Sequence, residues 1–158
     1  MGNCLDEEQL EGNLILKLYM SKASDRINRK LLFAIPEKMG FPYRFIALIK
    51  HAIGHCWFII LINGEPSSFF KSSKGLKQGD LISLKLFILA SEALSRGLNL
   101  LFTQDPDMFD QTGCKINVTH LAYADDLIIF TRCAKESLTK LMQFLDLYEN
   151  QSGQKINH

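Results

Sequence analysis

Residues 120–130 read His-Leu-Ala-Tyr-Ala-Asp-Asp-Leu-Ile-Ile-Phe, which sets two adjacent carboxylates, Asp125 and Asp126, inside an apolar run. Neighbouring carboxylates repel one another, and burying them without partners costs free energy. The conflict resolves if Leu121–Tyr123 and Leu127–Phe130 are the strands of a hairpin with the acids at its tight tip. A hard, oxygen-seeking cation such as Mg²⁺ would supply the positive charge that the pair lacks. Taken alone, the run is explained equally well by a plain turn, because Asp is a favoured turn residue.

A second segment separates these readings. Ser73-Lys-Gly-Leu-Lys-Gln-Gly-Asp-Leu-Ile-Ser83 leads into a long amphipathic pattern. With Tyr-Ala-Asp-Asp downstream, it resembles the reverse transcriptases of non-long-terminal-repeat (LINE-type) retrotransposons, most closely those of plant genomes. The resemblance runs along nearly the whole chain. Leu16-Lys-Leu-Tyr-Met-Ser-Lys-Ala-Ser-Asp-Arg-Ile27 is similar to the family's first palm motif. Lys38-Met-Gly-Phe41 and Leu61-Ile-Asn-Gly-Glu-Pro66 resemble its connecting segments, and Ser152-Gly-Gln-Lys-Ile-Asn157 the stretch after the catalytic hairpin. Several motifs in the family's order and spacing are far more specific than Tyr-Ala-Asp-Asp alone.

The resemblance implies an RNA-directed DNA polymerase palm that takes an RNA template, a DNA primer and deoxynucleoside triphosphates. Two Mg²⁺ ions would activate the primer hydroxyl and stabilise the departing pyrophosphate. Asp125 falls on the position of the main metal ligand and Asp126 on that of its partner. Ser24, Gly75, Lys77, Gln78 and Gly79 fall on nucleotide- or template-binding positions. There the glycines permit close backbone approach, and Gln78 can hydrogen-bond near the nascent pair.

The chain departs from the family where the chemistry is most demanding. The family reads Lys-Leu-Asp-Met-Ser-Lys-Ala-Tyr-Asp where this chain has Lys17-Leu-Tyr-Met-Ser-Lys-Ala-Ser-Asp25. Two hard cations about 3.5–4 Å apart need carboxylates from both strands. Tyr19 instead offers a phenol, whose reference pKa near ~10 makes it a poor Mg²⁺ ligand at pH 7. Asp25 matches the family's own later Asp and lies past the strand, so it does not replace the missing ligand. Ser24 stands where an aromatic ring stacks under the incoming sugar, which implies poor discrimination between ribo- and deoxyribonucleotides. Leu81 and Leu84 replace prolines, which loosens the start of the following helix, and Arg29 replaces a frequent Trp. Each departure is reachable by one nucleotide change, the pattern expected of unselected drift in an old element copy. The expected product is therefore a catalytically impaired polymerase fragment. The alternative is a domesticated nucleic-acid-binding or scaffold module using the Lys71, Lys74, Lys77 and Lys85 stretch. The resemblance further implies that most of the fingers and the thumb lie beyond these 158 residues.

Composition sets the frame. The length suits one domain over residues 1–158, with 47% hydrophobic and 22% charged residues, both ordinary for a globular chain. A net charge of +1 lacks the overall footprint of a strong nucleic-acid binder. Cys4, Cys56, Cys114 and Cys133 are scattered with no CxxC pair, and no secretory signal is evident, so an intracellular chain with reduced thiols, nuclear or cytoplasmic, is expected. His51, His55 and Cys56 have helical spacing but no complementary ligand cluster, which favours surface histidines over zinc. No window approaches the roughly 20 apolar residues of a membrane span.

The elements that must position the chemistry follow from periodicity. Residues 1–12 are expected to fray. Leu14–Tyr19 reads as a short buried strand. A helix over Asn28–Met39 is interrupted by Pro36, and a second spans Tyr43–Ala52. Cys56–Ile62 and Ser68–Ser72 read as a hairpin around Asn63-Gly64-Glu65-Pro66. Leu84–Phe102 carries Leu86, Ala90, Ala93, Leu94, Gly97, Leu98 and Leu101 on one face. After a loop over Thr103–Thr112 and a strand over Cys114–Val118 comes the acidic hairpin. A last helix, marked by Leu138, Leu141, Met142, Leu145 and Tyr148, stops near Gly153. Hairpins with packed helices predict an α+β fold, a partial palm with part of the fingers.

Overall fold

Alternation of apolar and polar residues along Asn13–Ser21 builds β1, the central strand from which the architecture follows. The computed structural model describes residues 12–54, 57–72, 74–77, 79–108 and 118–157. β6 (His120–Tyr123), β7 (Asp126–Arg132), β1 and β8 (Lys155–Asn157) lie in that order in an antiparallel sheet. Leu14, Leu16 and Leu18 pair with Thr131, Ile129 and Leu127 and turn inward, while Ile15, Lys17 and Tyr19 pair with Phe130, Ile128 and Asp126 on the outer face. β1 is therefore buried on one face only, with Ile15 64% exposed, and not a buried strand throughout.

The inner face rests on two helices. α4 (Leu81–Gln104) buries Leu86, Ala90, Leu94, Leu98 and Phe102, a row recurring every four residues. Leu101, expected in that row, is only partly buried, and Phe102 fills the place against the sheet. α5 (Lys135–Ser152) adds Leu141 and Leu145, and ends on Gly153 in the left-handed conformation. Met142, expected on that apolar face, is 41% exposed.

A second core forms where α2 (Arg29–Lys38) and α3 (Tyr43–Gly54) pack Leu32, Ile35, Ile49 and Ile53 against the first half of α4. Pro36 does not interrupt α2. It lies in the last turn of the helix, where its missing N–H costs the one bond to the Leu32 carbonyl, and it is buried. α4 starts at Leu81, one turn before the expected boundary. Asp80 caps it, its Oδ1 accepting from the Ile82 N–H at 3.0 Å, so the helix start is held despite leucines in place of prolines.

The middle hairpin is broken into two short ladders. β2 (Trp57–Phe58) pairs with β5 (Phe70–Lys71), and β3 (Leu61–Ile62) with β4 (Glu65–Pro66). The returning strand starts at Glu65 and not at Ser68, because Asn63 and Gly64 both take positive φ and close a two-residue turn by themselves. Between the ladders, Ser67 keeps contact through its N–H to the Ile60 carbonyl and its Oγ from the Ile60 N–H. The expected behaviour of residues 1–11, the strand over 114–117, and the positions of His55, Cys56 and Gln78 lie outside the described residues. Among the described residues no helix is long and apolar enough to cross a membrane.

Candidate active site

The acidic hairpin forms as the sequence implies, with a shift in where its acids sit. Tyr123 pairs with Asp126, so Ala124 and Asp125 alone make the tip, and Asp126 is the first residue of β7. Ala124 takes φ 49°, the positive value that two-residue hairpin loops require. The tip is tied to β1 by the Met20 N–H, which donates to the Asp125 carbonyl at 2.8 Å.

Tyr19 lies directly opposite Asp126 in the β1–β7 register, a displacement of one residue from Asp125, which by resemblance holds the position of the main metal ligand. The displacement follows from the tip itself: a two-residue loop leaves Asp125 in the turn and gives the strand pairing to Asp126. Tyr123, Asp126, Tyr19 and Asn157 form one row across four strands. Residues directly opposite in an antiparallel pair share a face, so Asp126 is flanked by a phenol on either side. Lys17, two residues before Tyr19 and on the same face, brings its Nζ to 3.6 Å from Asp126 Oδ1.

The other positions assemble beside the tip. A cleft of about 680 Å³ is lined by Ser24 after β1, by Lys77, Gly79 and Asp80 before α4, by Ser83 and Phe87 of α4, and by Ala124 and Asp125. Ser24 is held there by α1 (Ala23–Arg26), and its carbonyl accepts from the Leu76 N–H at 3.0 Å. Gly75 donates its N–H to Ile27 at 2.9 Å and takes φ 78°. A Cβ at this position would stand 2.5 Å from the Asp25 carbonyl oxygen, so only glycine lets the 74–77 strap close onto α1. Gly75 thus acts through the backbone on the far side of the strap, while Lys77 and Gly79 border the cleft.

Two cleft residues escaped the sequence reading. Ser83 is buried, lines the cleft and has an Oγ with no hydrogen-bond partner among the described residues, a group that a ligand would satisfy. Phe87 gives the cleft an apolar wall. The available signal for Ser83 was one hydroxyl inside the apolar run Leu81–Ile88. His120, on β6, has its pKa lowered chiefly by burial, with Glu92 acting in the opposite sense.

Carboxylate oxygens suit a hard cation, and here the hairpin alone brings them. Asp125 and Asp126 come from a single hairpin, and β1 contributes the phenol of Tyr19 instead of a carboxylate. Among the described residues no group of three or more His, Cys, Asp and Glu side chains converges.

Residues 2–158 match the family profile of reverse transcriptase (RNA-dependent DNA polymerase). The chain belongs to the reverse transcriptase family. It is 26% identical over 146 residues to the transposon TX1 uncharacterized 149 kDa protein of Xenopus laevis, a match covering 90% of this chain and 10% of that protein. It is also 32% identical over 81 residues to an uncharacterized mitochondrial protein of Arabidopsis thaliana, covering 48% of this chain and 63% of that one. The chain therefore matches less than two thirds of the length of either relative. The solved structure of apo telomerase from Candida Tropicalis, truncated from its C-terminal domain, superposes with a TM-score of 0.65 at 23% identity. That match covers 96% of this chain and 30% of that one, and it bears out the α+β reverse transcriptase fold.

Proposed function

We propose that this reverse transcriptase chain is the palm region of a plant LINE-type retrotransposon polymerase in which two-metal nucleotidyl transfer is lost. The observation carrying the proposal is the register of β1 and β7, which sets a phenol opposite Asp126 where a carboxylate is needed. The transposon relative supports the element origin, and the Arabidopsis relative supports the plant one. In this reading Mg²⁺ would be held by Asp125 and Asp126, and it would supply charge stabilisation for an attacking and a leaving oxygen. Ser24, Lys77, Gly79 and Ser83 border the place for an incoming deoxynucleotide, and Gly75 belongs to the strap that would meet an RNA template and DNA primer, the strands that Gln78 serves by resemblance. Ser24 leaves open the space a ring would fill, so a ribose hydroxyl meets no wall there.

One observation favours a second reading, a nucleic-acid-binding module without chemistry. Lys71 lies over the Trp57 ring at 4.7 Å and Lys77 over Phe58 at 5.5 Å, so exposed cations and rings alternate along the strap and hairpin. Primer extension by the unmodified chain and by Tyr19→Asp tests the first reading, which expects no synthesis from the unmodified chain. A salt-dependent gel shift of an RNA–DNA hybrid tests the second; absence of any shift at low salt would remove it.

A further inference from the structure

β6 is the outermost strand of its sheet, and its outer edge is open among the described residues. The Phe130 N–H donates to the Thr119 carbonyl at 2.9 Å, and the Tyr123–Asp126 pair closes the hairpin loop. Thr119, Leu121 and Tyr123 therefore bond toward β7. The alternation of an antiparallel ladder turns the N–H and C=O groups of His120 and Ala122 outward. No lysine, proline or bulge in His120–Tyr123 blunts this edge.

The inner face of the same strand is only partly covered. Ala122 shares that face with the buried Leu127, yet Ala122 is exposed, because the cleft opens between it and α4. There Leu84, Phe87 and Ile88 make an apolar wall, with Leu84 61% and Ile88 58% exposed. An open backbone edge beside an apolar groove fits an extended segment with apolar alternate side chains.

The chain itself carries such a segment. Trp57–Ile62 contains no charge, glycine or proline, and Ile59, Ile60, Leu61 and Ile62 are all exposed. Ile60 bonds to Ser67 on the ladder side, so Ile59 and Leu61 present their backbone groups to the open side. Laid antiparallel to β6, Ile59 meets Ala122 and Leu61 meets His120, and both side chains fall on the groove face. This order also matches charge. Lys71, opposite Trp57, comes to the end of the cleft that holds Asp80 and Asp125, while Glu65, opposite Ile62, lies at the other end. The reverse order would set Glu65 against those acids.

We propose that the β6 edge and its groove bind the Trp57–Ile62 segment of a second copy of this chain. The contact uses different surfaces on the two copies, so it either reciprocates within a dimer or continues into longer chains. One added strand buries little area, so association is weak and reversible. It requires no chemistry at Tyr19 or Asp126, so it stands or falls apart from the loss of polymerase activity.

The test is sedimentation velocity of the full chain from about 1 to about 300 µM, without nucleic acid or metal. The mass is expected to rise with concentration. Leu61→Glu on the segment and Ile88→Glu on the groove, both at exposed positions, should keep the circular dichroism spectrum and each weaken association about tenfold or more. Mixed in equal amounts, the two variants should form a dimer, because the intact segment of the Ile88→Glu chain meets the intact groove of the Leu61→Glu chain. A monomer at every concentration, association unchanged in either variant, or no dimer in the mixture would overturn the proposal.

Discussion

A carboxylate carries a full negative charge at neutral pH and a phenol carries none, and this difference bears on the one row where charge matters most. Asp126 lies between Tyr123 and Tyr19, with Lys17 at 3.6 Å as its charged neighbour. That ion pair is exposed on both sides, 67% and 46%, and contributes little by itself. Tyr19→Asp adds a negative charge beside Asp125 and Asp126, so Mn²⁺ binding followed by electron paramagnetic resonance should tighten by roughly tenfold, about 1.4 kcal/mol. Equal Mn²⁺ affinity in the two proteins would mean that the β1 position does not reach the ion. Gly75 makes a different single-residue prediction. Gly75→Ala imposes both a positive φ and a Cβ 2.5 Å from a backbone oxygen, so urea unfolding should show a loss of about 1–3 kcal/mol. The motif spacing made Tyr19, Asp125 and Gly75 legible in the sequence. It did not show that Asp126 takes the strand pairing, because that depends on a loop of two residues rather than three. Ser83 was hidden for a related reason: an orphan hydroxyl exists only in three dimensions.

Among the elements, α4 carries most of the packing and was the most legible. Its four-residue recurrence of Leu86, Ala90, Leu94 and Leu98 is long enough to fix both the helix and its buried face. Leu98 is fully buried between the sheet and α5, so Leu98→Ala should cost about 2–5 kcal/mol in chemical denaturation. A cost below 1 kcal/mol would mean that the helix is not seated on the sheet as described. Shorter elements were read less well, each through a local contest of forces. Pro36 signals a break, but in the last turn it costs the single bond to the Leu32 carbonyl, and its burial together with Leu32 and Ile35 offsets that loss. The 57–71 hairpin was legible as a hairpin from Asn63-Gly64, yet its two short ladders follow from Ser67 substituting its side chain for a backbone partner.

At the scale of the whole molecule, two titrating groups set opposite limits on stability. Burial is the main cause of the lowered pKa of His120, so the unfolded chain takes up its proton first as pH falls. The contribution of neutral His120 is present above the unfolded value of about 6.5 and is lost as pH falls below it. Burial also raises the Tyr148 phenol to about 12, against a smaller opposing hydrogen bond from Ser152. Its contribution is complete below the unfolded value of about 10 and is lost as pH rises through 12. Thermal unfolding across pH should therefore show a plateau with both arms descending, and His120→Gln should flatten the acid arm; an acid arm unchanged in that variant would assign it to other groups. The α+β architecture was legible because hairpin and helix periods alternate along the chain. The bearing of the architecture on chemistry rests on one row of four strands, and templated DNA synthesis tests it most directly. With a primed RNA template, deoxynucleoside triphosphates and Mg²⁺, the unmodified chain should extend no primer. Loss of a single charge-stabilising donor already lowers rates by about 10²–10³, and a shared metal ligand exceeds that. Robust Mg²⁺-dependent extension by the unmodified chain would contradict the claim that Tyr19 has ended the chemistry.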